Sequence, residues 1–336
     1  MHSLRAAPTI QHMHVVLIYN PVAGTDRTQR RQQVQQICEL LKAHGHSATA
    51  VATTAAGSAA DQARAAIADG CDCVFACGGD GTVHDVLQGI VATPGATAPP
   101  AILGIIPMGS ANTLARHLGL SMSPLEAVRQ QLAFEPALIS VGVIECSGQR
   151  RYFTVLAGAG ADGALVHRLK HSHKQQLGRA AYYLHAARTF LSHPFAAFNL
   201  EFVDATTAQK HRLRAVSAMA LRIDDLGGLF SPLARGGCVR HPHLELIVVR
   251  PPGWLSLPLW FAMGWLRAGR WNPLLHRCSV TEFSCSPSSS SKVHIQADGD
   301  WLGTAPACVS LLHDAVRLLV PAIVPVAGST PRTVLQ

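Results

Sequence analysis

The chain has 336 residues, enough for two domains of ordinary size, and its 48% hydrophobic and 14% charged content indicates a folded globular protein rather than a disordered one. Its 28 basic and 20 acidic residues give a net charge of +8, which favours anionic partners such as nucleotides or anionic membranes without choosing among them. No apolar run reaches the roughly 18–20 residues that span a bilayer, no secretory signal is visible, and no C-x-x-C pair indicates a zinc ribbon or disulfide framework, so we expect a cytoplasmic protein.

Short apolar runs alternate with helical segments in the first part of the chain. Strands are predicted at His14–Tyr19, Ser47–Thr53, Asp72–Cys77 and Ile102–Ile106. Helices are predicted where apolar residues recur at helical spacing, at Val34–Leu41 and Val83–Ile90, and also at Ala59–Ala68 and Asn112–His117. Strands that alternate with helices predict an α/β domain with a parallel sheet covered on both faces, which we place at residues 13–135.

The regular alternation of predicted strands and helices ends after residue 135. Strands are predicted at Leu138–Glu145, Tyr152–Leu156, Phe198–Val203, Leu213–Leu221 and Leu244–Val249, and two further strand-like runs at Lys292–Ala297 and Ala307–His313. One helix is predicted at about Gln175–Leu191. Strands that are not regularly separated by helices predict an antiparallel, β-rich second domain, which we place at residues 136–325.

Three glycine-bearing loops each follow a predicted strand of the first domain. They are Asn20-Pro21-Val22-Ala23-Gly24, Gly78-Gly79-Asp80-Gly81-Thr82 and Pro107-Met108-Gly109-Ser110-Ala111-Asn112. Because the carboxyl ends of parallel strands share one edge of a sheet, we expect the loops to converge on one crevice. Glycines let backbone N–H groups approach phosphate oxygens, and the N-terminus of a following helix favours an anion. The loops therefore predict a nucleotide triphosphate site, with Asp80 placed to hold Mg²⁺.

These motifs closely resemble the diacylglycerol kinase catalytic-domain family, which includes bacterial lipid kinases, sphingosine kinases and ceramide kinases. The resemblance rests on the three loops, on Leu177-Gly178-Arg179-Ala180-Ala181-Tyr182 and on the late Asp298-Gly299-Asp300, which occur in family order between Met13 and Pro321. It implies a first domain like those of phosphofructokinase and NAD kinase, a second domain that is a β-sandwich, and an active site in the cleft between them.

The resemblance also implies roles for individual residues. The ATP site that we predict contains Asn20, Pro21, Gly24, Thr53, Gly78, Gly79, Asp80, Gly81, Thr82, Gly109, Ser110 and Asn112. The family's general base falls at Asp298 or Asp300, and we assign Mg²⁺ to Asp80 and Asp300. From the residues alone, an Asp-Gly-Asp between two strand-like runs also fits an ordinary hairpin turn, and both interpretations stay open.

Three positions depart from the family pattern. Thr113 stands where many bacterial relatives have Asp, and Asp300 stands where the family commonly has Glu. The stretch Arg240-His241-Pro242-His243 stands where the family often has an Asp-Gly that supports a structural Mg²⁺, so we do not expect that site.

Two H-x-H pairs occur in the sequence, His171/His173 and His241/His243. Such pairs can bind metals, but neither has a third ligand at a known spacing. We therefore predict that both pairs are surface histidines.

A tryptophan-rich segment lies late in the second domain. Its large apolar residues are Trp254, Leu257, Trp260, Phe261, Trp265 and Trp271, with Arg250, Arg267 and Arg270 at its flanks. Tryptophan beside arginine is typical of a membrane-interface contact, whereas apolar residues on all sides of a helix are typical of a buried one. Both interpretations stay open, and we favour the buried helix.

These observations together predict an ATP-dependent lipid kinase that uses Mg²⁺. It would transfer the γ-phosphate to a hydroxyl of a diacylglycerol- or sphingoid-like lipid, with Asp80, Asp298 and Asp300 as catalytic residues. The alternatives are an NAD kinase-like enzyme, which shares the Gly-Gly-Asp-Gly loop, and a catalytically inactive nucleotide or lipid sensor. We expect peripheral contact with the inner face of the membrane and no nucleic-acid partner, and a homodimer is a further hypothesis.

Overall fold

The computed structural model of the protein describes residues 12–21, 27–91, 101–171, 195–226, 236–266 and 271–322. These residues form two compact units. The first unit runs to Ala115 and also contains Leu120–Ala137 and Val316–Ala322. The second unit contains Arg116–Gly119 and Leu138–Ala315. The chain therefore returns to the first unit at Val316, whereas the division predicted from the sequence assigns that segment to the second domain.

A parallel sheet flanked by helices builds the first unit. Its strands are β1 (His14–Tyr19), β2 (Ser47–Ala52), β3 (Cys73–Gly78) and β4 (Ile102–Pro107). The helices along this part of the chain are α1 (Arg27–Ala43), α2 (Ser58–Ala68), α3 (Asp80–Ile90), α4 (Thr113–His117) and α5 (Pro124–Leu132). The strand order is β4–β3–β1–β2 and every pair is parallel, so the predicted α/β fold is confirmed.

Burial on both faces explains why the strands of this sheet are apolar throughout. Val15 and Leu17 of β1 pack with Ile37 of α1 in one cluster of buried residues. The alternate residues of β1, Val16 and Ile18, are buried as well. Because successive side chains of a strand point to opposite faces, helices must cover both faces of the sheet.

Antiparallel strands dominate the second unit. The strands of this part of the chain are β5 (Glu135–Cys146), β6 (Gln149–Phe153), β7 (Leu156–Gly160), β8 (Phe198–Asp204), β9 (Lys210–Ala215), β10 (Ser217–Leu221), β11 (Leu244–Val249), β12 (Leu275–Pro287), β13 (His294–Ala297), β14 (Asp300–Thr304) and β15 (Ala307–Val320). The helices are α6 (Ala161–His171) and α7 (Gly253–Trp265). The order is β14–β13–β7–β10–β11–β12–β15, with β8 paired to β12 and β9 paired to β8, and the predicted β-rich second domain is confirmed.

Three strand predictions for the second unit are wrong in detail. The predicted strand Tyr152–Leu156 is divided between β6 and β7, because a side-chain carboxylate accepts the N–H groups of residues 154–156. The predicted strand Leu213–Leu221 is divided at Val216, since β9 pairs with β8 whereas β10 pairs with β7 and β11. The Asp-Gly-Asp segment joins β13 to β14 rather than to Ala307–His313. The helix predicted at 175–191 lies outside the described residues.

Helix α7 has one buried and one exposed apolar face. Leu257 is fully buried and Trp260 is 3% exposed, and both belong to a cluster of buried residues with β10 and β11. On the opposite side, Trp254 is 75% exposed and Trp265 is 55% exposed. The favoured prediction of a buried helix is therefore right for only one face. No helix in the described ranges is both long and apolar enough to cross a membrane.

Candidate active site

In the first unit, the predicted phosphate-binding loops follow neighbouring strands. Asn20 follows β1, and its N–H donates to the Cys77 carbonyl oxygen in β3 (3.3 Å). Gly78 ends β3, and its carbonyl oxygen accepts the N–H of Met108, which follows β4 (2.8 Å). The carboxyl ends of three parallel strands therefore meet at one edge of the sheet.

Thr53 extends this edge beyond β2. Its N–H donates to the Tyr19 carbonyl oxygen (2.8 Å), and the residue is half-buried, as Pro21 is after β1. Gly24, the remaining predicted residue of the first loop, lies outside the described residues. Neighbouring strands thus bring Thr53 and Pro21 to the edge that carries the glycine loops.

The second and third loops pack closely where Gly79 meets Gly109. A Cβ added to Gly109 would lie 2.3 Å from the Gly79 Cα, closer than real side chains approach. A Cβ added to Gly78 would lie 2.3 Å from the Thr82 hydroxyl oxygen, which leaves room only for a hydrogen. The glycines are therefore required for the two loops to pack, and they leave backbone rather than side chains at the edge.

Helix α3 begins directly at the second loop. Gly79 precedes it, and the Gly79 carbonyl oxygen accepts the N–H groups of Thr82 (3.0 Å) and Val83 (3.2 Å). Gly81 is exposed in the first turn, and the Thr82 side chain is buried against Gly78. The first N–H groups of an α-helix have no partner within the helix, and they carry partial positive charge. This helix end can therefore bind an anion such as a phosphate.

Asp80 joins α3 to the third loop. Its Oδ1 accepts the N–H of Thr113 (2.6 Å), and its Oδ2 accepts the Thr113 hydroxyl (3.4 Å). The carboxylate is half-buried, and carboxylate oxygens are ligands that can bind a metal ion. Thr113 thus orients the Asp80 carboxylate at this point.

Asn112 holds the third loop from within. It has a positive φ of 49°, its Oδ1 accepts the Gly109 N–H (2.9 Å), and its Nδ2 donates to the Gly109 carbonyl oxygen (2.8 Å). The side chain is 7% exposed, whereas Ser110 is exposed. Asn112 is therefore placed to shape the loop, and Ser110 is placed to meet a ligand.

Two buried polar side chains that the sequence reasoning missed also support this edge. The Arg30 guanidinium of α1 donates to the Met108 carbonyl oxygen (2.9 Å). The Gln131 amide of α5 accepts the Ile105 N–H (2.9 Å) and donates to its carbonyl oxygen (2.7 Å), as a neighbouring strand would. Their spacing in the sequence follows no motif, so only the folded structure identifies them.

In the second unit, the Asp-Gly-Asp segment forms a tight hairpin turn. Asp298 (φ 45°) and Gly299 (φ 86°) are the two central residues between the paired residues Ala297 and Asp300. Positive φ at both central positions defines the type I′ turn for which Asp-Gly is a favoured sequence. The hairpin interpretation kept open from the sequence is therefore correct about the local structure.

The two acids of this hairpin have different surroundings. The Asp298 carboxylate accepts backbone N–H groups from Thr154 (3.0 Å), Val155 (3.0 Å) and Leu156 (2.9 Å). Asp300, the first residue of β14, is exposed. Asp298 thus ties the hairpin to the β6–β7 break, whereas Asp300 is an exposed residue.

Asp162, at the start of α6, is a third acid of this region and was missed from the sequence. Gln296 Nε2 donates to its Oδ2 (2.5 Å), while Gln296 Oε1 accepts the Gly299 N–H (3.0 Å). Burial raises the pKa of Asp162 to about 6, and the Gln296 hydrogen bond opposes this shift. A Cβ at Gly158 would lie 1.7 Å from its Oδ2, so the carboxylate packs directly on the strand β7.

Comparisons with known proteins agree with this geometry. The family model of the diacylglycerol kinase catalytic domain matches residues 14–144. A protein named diacylglycerol kinase from Bacillus subtilis (strain 168) is 33% identical over 169 residues, which are 50% of this chain and 52% of the relative. A protein of the same name from Staphylococcus haemolyticus is 26% identical over 307 residues, which are 91% of this chain and 87% of the relative. The chain thus matches about half the length of the Bacillus subtilis relative.

Solved structures extend the likeness in fold to the second unit. The crystal structure of a diacylglycerol kinase from Bacillus anthracis str. Sterne gives a TM-score of 0.70 at 20% identity, covering 93% of this chain and 98% of that chain. A second crystal structure, of a protein from the same strain, gives a TM-score of 0.74 at 20% identity and covers 97% of this chain and 100% of that chain. The predicted fold class is therefore confirmed, and residues 14–144 match the family model of the diacylglycerol kinase catalytic domain.

Proposed function

We propose that this protein is a lipid kinase that transfers the γ-phosphate of ATP to a hydroxyl group of a lipid. The observation that carries the proposal is the contact of Gly79 with Gly109 beside Asp80, inside a matched diacylglycerol kinase catalytic domain. Relatives named diacylglycerol kinase support a lipid as the acceptor.

The first unit supplies the phosphate site in this proposal. Backbone N–H groups at the start of α3 bind phosphate oxygens, and Ser110 adds a hydroxyl donor. Asn112 and Arg30 are positioning residues, because their polar atoms are bonded to the backbone of the third loop. Phosphoryl transfer needs mainly positioning and electrostatic stabilisation, which this backbone framework can provide.

Asp80 fits the role of Mg²⁺ ligand. Its oxygens are oriented by Thr113, and carboxylate oxygen is a ligand that Mg²⁺ prefers. The exposed carboxylate of Asp300 is a second proposed ligand. When bound, Mg²⁺ neutralises negative charge on the phosphates. The protein's part is to hold these carboxylates in place.

Asp300 is the proposed general base. Three backbone N–H donors engage the Asp298 carboxylate, which gives Asp298 a structural role. Asp300 is exposed beside this turn and accepts the proton of the attacking lipid hydroxyl. Asp298 is a positioning residue that fixes the start of β14. The sequence alone left open which of these two acids is the base.

A cavity in the second unit suits the apolar part of an acceptor. It encloses about 260 Å³ and is lined by Gly160, Ala164, Phe195, Ala196, Ser291, Lys292, Val293 and His294. Small and apolar side chains can accept a hydrocarbon segment, and Lys292 can face an anionic headgroup. We propose that this cavity binds part of the lipid.

We also propose that the exposed face of α7 touches the membrane surface. Trp254 and Trp265 lie eleven residues apart, which is three helical turns, so both project from the same face. Leu255 and Leu266 repeat this spacing and are also exposed. Arg250 is exposed before the helix, whereas Arg267 and Arg270 lie outside the described residues. An apolar face with tryptophan beside basic residues fits an anionic lipid surface.

An acceptor panel tests the kinase proposal. Purified protein with ATP and Mg²⁺ would be incubated separately with diacylglycerol, sphingosine, ceramide and NAD, and the phosphorylated product identified by mass spectrometry. We expect a phosphorylated lipid and no NADP. Turnover with NAD alone would identify the NAD kinase-like alternative, and ATP binding without turnover on any alcohol would identify the sensor.

Vesicle binding tests the membrane contact separately. The Trp254→Ala/Trp265→Ala variant should bind anionic vesicles at least tenfold more weakly, because a buried apolar side chain contributes about 1.5–3 kcal/mol. Leu138→Ala, at another exposed apolar residue, is the control and should bind normally. If the tryptophan variant binds vesicles as wild type does but has half the molecular mass of wild type in solution, this face is instead a homodimer interface.

A further inference from the structure

The second unit contains a cluster of two histidines and a glutamate that the proposed kinase chemistry does not use. One ligand atom each of His241, His243 and Glu245 lies within 4.8 Å of the other two. The imidazole rings stack with centroids 4.9 Å apart, and His243 Nε2 is 3.2 Å from Glu245 Oε1. All three residues are half-buried, so His241 and His243 are less exposed than fully solvated surface histidines would be.

The backbone geometry explains how the three side chains meet. The residues stand two positions apart, and a bend at residues 241–243 leads into β11, which begins at Leu244, so the three side chains meet on one side of the chain. Pro242 between the histidines restricts the backbone before the strand. Spacing in the sequence did not suggest Glu245, because no common zinc motif has this pattern.

A buried arginine fixes the backbone beneath the cluster. Arg222 is fully buried, and its Nη1 donates to the carbonyl oxygens of His241 (2.7 Å) and His243 (2.8 Å). Its Nη2 donates to the carbonyl oxygens of Ser140 and Val239. The guanidinium therefore holds both histidines in place before any ligand arrives, which is how preorganised sites are supported.

Polar side chains outside the cluster add the support that metal ligands usually have. The Ser279 hydroxyl donates to Glu245 Oε1 (2.7 Å) and orients this carboxylate. Asp224 is 2% exposed, and within the described part of the chain its Oδ2 has no hydrogen-bond partner. The Gly236 N–H donates to its Oδ1. A hydrogen bond that orients a ligand carboxylate, as Ser279 does for Glu245, is typical of built metal sites.

We propose that His241, His243 and Glu245 bind a divalent transition metal ion of the zinc class. Two imidazole nitrogens with one carboxylate oxygen suit Zn²⁺, whereas Mg²⁺ prefers oxygen ligands alone. Bond lengths of about 2.0–2.2 Å around a tetrahedral ion place ligand atoms about 3.3 Å apart. Side-chain rotations can close the present separations to that distance, and water completes the coordination. The bound ion would link the start of β11 to the preceding turn. This inference does not depend on the proposed kinase function.

Metal binding to untagged, metal-free protein tests the proposal. Co²⁺ would be titrated as a probe and its d–d absorption followed, and Zn²⁺ would then be used to displace it in the presence of excess Mg²⁺. We expect one equivalent to bind with a tetrahedral or five-coordinate spectrum and Zn²⁺ to raise the melting temperature. His243→Asn, and separately Glu245→Gln, should each lower the affinity at least tenfold, because each removes one of three protein ligands.

The other H-x-H pair provides the matched control. The double variant His171→Asn/His173→Asn should keep the one-equivalent Co²⁺ spectrum and the Zn²⁺-induced shift in melting temperature. The proposal would be overturned by any of three results. The control could lose the Co²⁺ spectrum, a His241→Asn/His243→Asn variant could keep it, or the wild type could show no saturable Co²⁺ binding. Circular dichroism would verify folding, and Ser279→Ala, which keeps all three ligands, would test the site if the ligand variants unfold.

Discussion

The phosphate-binding edge of the first unit and the Asp-Gly-Asp hairpin of the second unit are built in different ways. At the edge, neighbouring loops pack glycine against glycine, and the groups that can meet a ligand are largely backbone. At the hairpin, Asp298 reaches Leu156, 142 residues earlier, and Gln296 reaches Asp162. A local glycine pattern therefore describes the first region well, whereas the second depends on distant partners.

The largest expected effect separates the two acids of the hairpin. Asp300→Asn removes the proposed base and should lower kcat by about 10²–10⁴, with ATP affinity unchanged. Because Asp300 is exposed, the melting temperature should change little. Steady-state kinetics and calorimetry would check both results, and near-normal kcat would refute the assignment of the base.

Asp80→Asn tests the metal ligand of the first unit. The amide keeps an oxygen that can accept the Thr113 N–H, so the fold should persist, but the negative charge is lost. We expect kcat/KM to fall by about 10²–10³, the size of losing one electrostatic contact to the reacting group. Asp80→Ala also removes the acceptor and should be less stable. Equal activity of Asp80→Asn and wild type would exclude Asp80 as a metal ligand.

Gly109→Ala tests whether the glycine contact is needed. The added methyl group meets the Gly79 Cα at 2.3 Å, so the two loops must separate. A displacement near 1 Å at a reacting group costs about 10²-fold in rate, and ATP affinity should fall with it. Gly253→Ala, whose methyl group lies 3.5 Å or more from its neighbours, is the control. ATP binding by calorimetry would decide, and unchanged affinity would count against the loop assignment.

Asp298→Asn should act on stability first. An amide offers one acceptor oxygen to three N–H donors, and hydrogen bonds to a charged group contribute about 1.5–3 kcal/mol each, so the free energy of unfolding should fall by about 2–4 kcal/mol. Chemical denaturation would measure the change. If Asp298→Asn is as stable as wild type but has lost turnover, then Asp298 is the base and our order of roles is reversed.

Asp162 predicts a pH dependence of stability with a defined sign. Because the folded state raises the pKa of Asp162 to about 6, the folded protein binds the proton more tightly, and wild-type stability falls as pH rises from about 4 to 6. Asp162→Asn should remove this fall. At pH 8, the free energy of unfolding of the variant should exceed that of wild type by at most about 3 kcal/mol. Exposed Asp69→Asn is the control. Denaturation curves at pH 4 and pH 8 would measure this difference. If the free energy of unfolding changes by the same amount between these pH values in wild type and in Asp162→Asn, this assignment is wrong.

The sequence predicted the first unit more completely than the second for physical reasons. Parallel strands covered on both faces are continuous apolar runs, and their loops need glycines that are visible as motifs. In the second unit, the break at Thr154–Leu156 depends on the Asp298 carboxylate, so no local pattern marks it. Arg222 and Asp162 were missed because they act through backbone groups or side chains far away in the sequence.

The most direct test of the kinase proposal follows labelled phosphate from the γ position of ATP into an organic extract. Wild-type protein, Asp300→Asn and Asp298→Asn would be compared with total lipid and Mg²⁺, with ATP binding measured in parallel. We predict label in a phospholipid for wild type, almost none for Asp300→Asn despite normal ATP binding, and label for the folded fraction of Asp298→Asn. Label in NADP alone, or no label in any product despite ATP binding, would contradict a lipid kinase.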